Sequence, residues 1–335
     1  MLQELAVVVV HFPFSIIKIV MTKKIAFQMD HISSIDVKMD STYMLMLEAQ
    51  RRGFLLYHYT PKDLFLENGI VKAIVSQVEL FAGQEKFFKL SNTKIISLSI
   101  LDMIFIRQDP PFNMHYITTT YLLEKIQHEV LFINHPTAIR NAPEKLLVCD
   151  FKEYMPETLV SENIEIIEHF IKDFEQIIVK PLYACGGKGV SKHVKPFNNL
   201  TKSLTEIQQE YQTPAMIQRY LPEIKVGDIR VVLAGGKIMG QVLKVPKEDS
   251  VIANFHAGGT PHAVDLNQKQ IAIINKLSPI LKQRKLHFVG LDFIGNYLTE
   301  INVTSPSGIP EMNLFLDNDV SKKIWDEFLT IPINP

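Results

Sequence analysis

Three oxygen-bearing side chains near the C-terminus have the types and spacing to hold a divalent cation. Asp292 lies in Gly290-Leu291-Asp292-Phe293-Ile294-Gly295, and Glu300 and Asn302 lie in Leu298-Thr299-Glu300-Ile301-Asn302-Val303-Thr304-Ser305-Pro306. Residues two apart on a strand leave the same face. Glu300 and Asn302, with Asp292 on a facing strand, can therefore ligate Mg²⁺ that also touches phosphate oxygens. A two-residue turn at Gly295-Asn296 would pair Leu291 with Glu300 and send Asp292 to the opposite face, so this site requires an odd-length loop or a bulge. The competing reading is a polar-edged hairpin with Glu300 salt-bridged to a surface base.

Upstream, Ile177-Ile178-Val179-Lys180 delivers a lysine just before Pro181, and the loop Ala184-Cys185-Gly186-Gly187-Lys188-Gly189 leads into an apolar, strand-like segment. Glycines such as Gly186 and Gly187 let backbone N–H groups approach and wrap phosphate oxygens. The run is not a P-loop, because G-x-x-x-x-G-K-[ST] is missing and no helix evidently follows; an ordinary hairpin turn is its alternative. Between the two motifs lies Ile217-Gln218-Arg219-Tyr220-Leu221-Pro222, then Gly227-Asp228-Ile229-Arg230. Such an extended segment can offer backbone groups to an adenine edge while apolar residues clamp its faces, with Arg230 reaching phosphate. A plain interdomain strand fits the same residues.

These groups need elements to carry them. At 335 residues the chain exceeds the size at which one core stops growing, so two or three packed modules are expected. A formal charge of -1 leaves no electrostatic footprint for nucleic acid and turns attention to small molecules. Cys149 and Cys185 make no disulfide framework and no metal-ligand pattern, so a reducing cytoplasm is the simplest compartment. Leu5 to Met21 is mostly apolar but is broken by His11, Pro13 and Lys18, lacks a basic leading segment, and falls short of the ~20 residues of a membrane span. Met21-Thr22-Lys23-Lys24 directly precedes a good first strand, so residues 1–20 read as an extension outside the fold, without stable membrane association.

Strands at Lys24 to Met29, Phe54 to Tyr59, Ile95 to Leu98 and Met103 to Ile106 alternate with an amphipathic helix at Ser41 to Arg52 and with helical or irregular pieces. That order predicts an open α/β sheet over residues 21–140. From Asn141 the texture changes. A helix carrying Lys145, another at Asn163 to Phe174, two strand-rich blocks and a helix near Asn267 to Gln283 suit two small α+β modules around a crevice over residues 141–335.

With lysine, glycine loop, hinge, Asp-Arg and Asp…Glu-x-Asn in that order, the chain resembles the ATP-grasp superfamily. Within it, the resemblance to bacterial glutathione synthetases covers Lys24 to about Phe315. It rests on Ser34-Ile35-Asp36-Val37-Lys38-Met39-Asp40-Ser41, Leu47-Glu48-Ala49-Gln50-Arg51-Arg52-Gly53, Arg107-Gln108-Asp109-Pro110-Pro111-Phe112 and the segment Leu298 to Pro306. The resemblance implies an α/β chain with an ATP-grasp fold, two α+β modules gripping ATP, preceded by the open-sheet domain. It makes Lys145 and Lys180 the two ATP-phosphate lysines and Gln218, Arg219, Tyr220 and Leu221 the adenine hinge. Asp292, Glu300 and Asn302 would hold Mg²⁺, with Mn²⁺ as a substitute, and Arg230 and Asn302 would steady the transferred phosphoryl group. Asp40, Arg107, Asp109, Asn254 and Ser305 would shape the pocket for γ-glutamylcysteine. The implied enzyme is an ATP-dependent carbon-nitrogen ligase that adds glycine through an acyl phosphate, acts in the cytoplasm and forms a homo-oligomer.

An acyl phosphate must be kept from water, so a lid is expected near residues 246–260, a long polar stretch with Asn254 and Gly258-Gly259. Several positions depart from the family pattern. Tyr183-Ala184 stand where Asp-Gly is usual, and Lys244, Ile252 and Thr260, all on or beside the lid, stand where arginines are usual. These departures keep two alternatives open: a related ligase with another substrate pair, and a nucleotide-binding protein without catalysis.

Overall fold

The computed structural model describes residues 8–12, 15–19, 22–248, 250–255, 258–316 and 319–333. Val8–Phe12 (β1) and Ser15–Ile19 (β2) pair antiparallel with each other; the rest of the expected extension 1–20 lies outside the described residues. No helix among the described residues is long and apolar enough to cross a membrane.

The first domain runs through Lys24–Gln28 (β3), Ser41–Arg51 (α1), Leu55–Tyr59 (β4), Leu64–Glu67 (β5), Ile70–Leu80 (β6), Phe88–Ser97 (β7), Met103–Ile106 (β8), Met114–Glu124 (α2) and Leu131–Ile133 (β9). Strands β4, β3, β8 and β9 lie side by side and parallel, and all of β8 is buried, as expected when both faces of a parallel sheet are covered. One expectation is corrected here. The segment Ile95 to Leu98 is no separate strand of an alternating α/β series; its first residues end β7, which folds back antiparallel on β6. The β3 order reverses between β4 on one side and β8 on the other, so the loops leaving β3 and β8 flank a topological switch point, where ligands of open sheets usually sit. Asp40 follows β3 and caps α1, accepting a 2.6 Å bond from the Tyr43 N–H.

Pro136–Arg140 (α3) and Glu144–Leu147 (α4) lead into a four-stranded antiparallel module of Thr158–Ser161 (β10), Gln176–Pro181 (β11), Ser191–Val194 (β12) and Ala215–Arg219 (β13), covered by Ile164–Ile171 (α5) and Leu200–Tyr211 (α6). A second antiparallel sheet holds Asp228–Ala234 (β14), Lys237–Val245 (β15), Thr260–His262 (β16), Phe288–Ile294 (β17) and Tyr297–Asn302 (β18), backed by Gln268–Gln283 (α7). Ile309–Asn313 (α8) and Val320–Phe328 (α9) return to the first domain. There Trp325 and Phe328 join one core with Phe27, Phe105 and Phe288, and the Trp325 indole donates to the Leu45 carbonyl at 2.8 Å. Asn134 ties β9 to the last sheet through bonds to Phe288 N and O and to the Val303 carbonyl.

His287 roots β17 and is buried at 7% exposure. Burial, with His135, Lys282 and Lys285 adding repulsion, pushes its imidazole down to about 4. An unfolded histidine titrates near 6.5, so the unfolded chain takes the proton first. The stability this neutral ring carries is present above pH 6.5 and is lost as pH falls towards 4. Urea unfolding of wild type should therefore show about 2 kcal/mol more loss between pH 7 and pH 5 than His287→Leu shows; equal losses would contradict a buried neutral ring.

Candidate active site

The hairpin β17–β18 meets the condition set by its sequence. Gly295-Asn296 is a two-residue turn between paired Ile294 and Tyr297, and the register then shifts between Asp292 and Phe293, so that Asp292 faces Glu300 and Gly290 faces Asn302. Thr299 is the extra residue, and its hydroxyl donates to the Asp292 carbonyl at 3.2 Å. One bulged residue thus puts Asp292, Glu300 and Asn302 on the same face.

Asp292 is the most heavily engaged of the three. Arg230 donates Nε and Nη2 to its two oxygens at 2.7 and 2.9 Å, Lys244 adds a 2.9 Å contact and the Asn302 amide a 3.0 Å bond. Burial would raise this carboxyl, but the Arg230 and Lys244 charges outweigh it and hold the group well below the usual carboxylate range. Asp228 shares Lys244 at 2.8 Å; burial and the neighbouring Asp292 charge push it up to about 6. Lys244 does flank the expected lid, paired with Pro261 at its base, and it has a second role. It sits buried in β15, directly across from Asp228, as the cation between two aspartates.

The three side chains suit a hard divalent cation, since two carboxylates and an amide offer oxygen donors. Among the described residues no group of three His, Cys, Asp or Glu could hold a metal ion, so Asn302 and non-protein oxygens would share in any such shell.

A cleft between the two antiparallel modules gathers the expected nucleotide residues: Lys145, Lys180, Gly186, Gly187, Gln218, Arg219, Tyr220 and Leu221, together with Arg230, Asp292, Glu300 and Asn302. Lys145 contacts Glu300 at 3.0 Å and donates to the Ala184 carbonyl at 2.6 Å, so α4, β18 and the glycine loop meet on one ammonium. Burial opposes its charge, but Glu300 prevails and raises its pKa. Lys180 differs. It donates to the neutral Gln218 side chain at 2.6 Å, and burial lowers its pKa, leaving a cation that an incoming phosphate would stabilise. The Gln218 amide donates to the Thr158 hydroxyl at 2.9 Å, and the Arg219 and Tyr220 N–H groups donate to the Glu157 and Gln176 carbonyls, which fixes the hinge against its neighbours.

Of the expected lid, Val251, Ile252, Ala253 and Asn254 line this cleft, while residues 249, 256 and 257 lie outside the described residues. Ile252 lies against Gly187, whose positive φ of 82° and proximity to that side chain leave no room for a Cβ.

Asp40, Arg107 and Asp109 stand apart from this cleft, at the switch point of the first sheet. Arg107 is buried at 4% exposure, donates Nε to Thr42 at 3.0 Å, and its Nη1 finds no partner among the described residues. A buried, unpaired guanidinium N–H is costly unless a ligand oxygen meets it, which suits an acidic substrate. The segment 303–309 joins the two regions: the Ser307 carbonyl accepts from Arg230 at 3.2 Å, and the Ser41 hydroxyl accepts from the Gly308 and Ile309 N–H groups. Ser305 lies on this connection.

Glu144 was not singled out by sequence, and the structure makes it central. Its Oε1 accepts from the Val303 and Thr304 N–H groups and the Thr304 hydroxyl at 2.9, 3.0 and 2.7 Å, and the residue lines both the main cleft and a neighbouring cavity. Its place beside Lys145 at a helix start was the available signal.

Comparison with known proteins agrees with this geometry. The prokaryotic glutathione synthetase N-terminal domain matches residues 23–140, and the ATP-grasp domain of the same family matches residues 144–316. The chain is 42% identical over 304 residues to the glutathione synthetase of Agrobacterium fabrum, covering 91% of this chain and 95% of that one. It is 41% identical over 294 residues to the glutathione synthetase of Buchnera aphidicola subsp. Schizaphis graminum, covering 86% and 91%. Among solved structures, D-cycloserine synthetase superposes with a TM-score of 0.65 at 13% identity, covering 91% of this chain and 98% of that one. A RimK domain ATP-grasp protein from Sphaerobacter thermophilus gives 0.60 at 15%, covering 90% and 98%. At such identities these two speak for the fold alone. The two family models together take in most of the chain, relatives above 40% identity match nearly its whole length, and the chain belongs to the prokaryotic glutathione synthetase family.

Proposed function

We propose that the chain ligates γ-L-glutamyl-L-cysteine to glycine at the expense of ATP, using Mg²⁺ or Mn²⁺, and that Lys145, Lys180, Arg230, Asp292, Glu300 and Asn302 serve the phosphoryl transfer. The observation carrying this reading is the convergence of both lysines and all three oxygen donors in one cleft. The dipeptide carboxylate attacks the γ-phosphorus, the bond to the β-phosphate oxygen breaks and ADP leaves. The glycine amine then attacks the acyl carbon of the acyl phosphate, inorganic phosphate departs, and the amine proton passes to solvent. A bound divalent cation would neutralise phosphate charge during this chemistry. Lys145 and Lys180 offset the repulsion between two anions that must meet, which is the main obstacle to the first step. No protein nucleophile is needed. Arg107, Asp40 and Asp109 would hold the dipeptide, and Asn254 and its neighbours would exclude water.

The relatives named above are glutathione synthetases of matching length, which favours the dipeptide as acyl donor. Two unbridged cysteines suit a cytoplasmic enzyme, and a homo-oligomer is the assembly we infer from the family resemblance. Phosphate release by the purified protein, with product followed by mass, tests the reading. Release requiring both γ-glutamylcysteine and glycine, with glutathione formed, is expected. Release with other acids only, or none despite ATP binding, would overturn it.

A further inference from the structure

Among the described residues, the apolar core that covers one face of the first sheet is built wholly from residues before Arg140 except for one: Tyr183, from the start of the glycine loop, packs against it. Its ring stacks on Phe112 with centroids 6.0 Å apart and planes 12° from parallel, and Phe112 in turn packs on Tyr116 at 5.0 Å. Phe112 closes the loop Arg107-Gln108-Asp109-Pro110-Pro111-Phe112, the segment proposed to hold the dipeptide. The next residue of the glycine loop, Ala184, gives its carbonyl to Lys145. Two successive residues therefore anchor the phosphate loop in opposite directions, one to the substrate loop and one to a phosphate lysine. Tyr183, Ala184, Pro110 and Phe112 also gather around one narrow crevice with Glu144 and Thr304.

Gly186, Gly187 and Gly189 hold the loop beyond this anchor in left-handed backbone conformations, and Gly186 and Gly187 line the cleft where phosphate would sit. We propose that the Tyr183–Phe112 stack couples the two sites: nucleotide that seats the glycine loop fixes Tyr183, and Tyr183 fixes the Arg107–Phe112 loop in its dipeptide-holding form. Tyr183 is a positioning residue, since it touches neither reacting group. Linkage makes the effect reciprocal, so each ligand tightens the other by the same factor. An aromatic stack of this geometry exceeds simple area burial in strength and is directional, as a transmitter between two loops must be. This inference rests on the proposed assignment of the dipeptide pocket.

The test is equilibrium calorimetry on the full chain, titrating γ-glutamylcysteine with and without a non-hydrolysable ATP analogue. Wild type should bind the dipeptide at least about five-fold tighter with the analogue present, within the usual range of coupling between sites. Tyr183→Ala and Phe112→Ala should each reduce that ratio to about two-fold or less, and the double variant should reduce it no further, because one contact is removed in all three. Tyr183→Phe should keep the ratio. A variant that merely damaged the fold would weaken each ligand alone rather than change the ratio. Full coupling in Tyr183→Ala, or no coupling in wild type, would overturn the inference. Wild type that binds nucleotide but not γ-glutamylcysteine would instead overturn the functional reading, and the inference with it.

Discussion

Asp292→Asn is expected to reduce phosphoryl transfer at least about a thousand-fold and to destabilise the protein. Asp292 receives Arg230 through two bonds and Lys244 through one, and Asp228 is the remaining carboxylate on Lys244. Removing its charge leaves the buried cations Arg230 and Lys244 facing one aspartate. Breaking a buried pair by removing one partner costs about 3–5 kcal/mol, a large share of a typical domain's stability. The same substitution removes a carboxylate from the proposed cation site. Loss of an electrostatic group aimed at the reacting phosphoryl costs about 10²–10³ in rate, before any loss of metal is added. Urea unfolding and ADP formation under saturating ATP would measure the two effects separately. A variant with unchanged midpoint would show that the Asp292 pairs contribute nothing to the fold, and one with near-normal turnover would remove Asp292 from the site.

The second large effect is at Lys145. Met keeps most of the buried stem, so Lys145→Met should still fold, with some loss of stability from the unpaired Glu300, and lose about 10²–10³ in kcat/KM for ATP, because the cation that would offset phosphate charge is gone. Lys145→Arg should not restore activity. The ammonium sits 2.6 Å from the Ala184 carbonyl and 3.0 Å from Glu300, and a longer planar fork does not fit that space without moving the glycine loop. Steady-state kinetics with ATP varied decides the matter; recovery in the Arg variant would mean that charge alone, not the Ala184 contact, is what the site requires.

Both residues were legible in the sequence as chemical types, and their partners were not. Asp292, Glu300 and Asn302 announce themselves by alternation on strands, but the bulge at Thr299 that brings them to one face follows from hydrogen-bond register, which a single strand does not encode. Family position puts Lys244 beside the lid, which it does flank opposite Pro261; only the pairing of β14 with β15 reveals it across from Asp228. Glu144 serves backbone groups at 303 and 304, too far along the chain for any local pattern to reveal. The long β6–β7 hairpin was hidden for another reason. Ile70, Ile74 and Ile95 are exposed apolar residues on its solvent face, so the alternation that marks a half-buried strand is blurred. The buried strands β3 and β8, by contrast, are short apolar runs, and their positions could be read directly.

The shared core of Phe27, Phe105, Trp325 and Phe328 has a consequence for how the chain is made. One face of the first sheet is covered by α1 together with α9, a helix synthesised long after the strands it packs on. At ordinary elongation rates that helix follows β8 by on the order of ten to forty seconds. Throughout that interval the nascent sheet carries this face covered by α1 alone, so the first domain cannot complete its core until the later segment arrives. Closure of α9 over that face, rather than folding of the first sheet alone, is the step that completes this core.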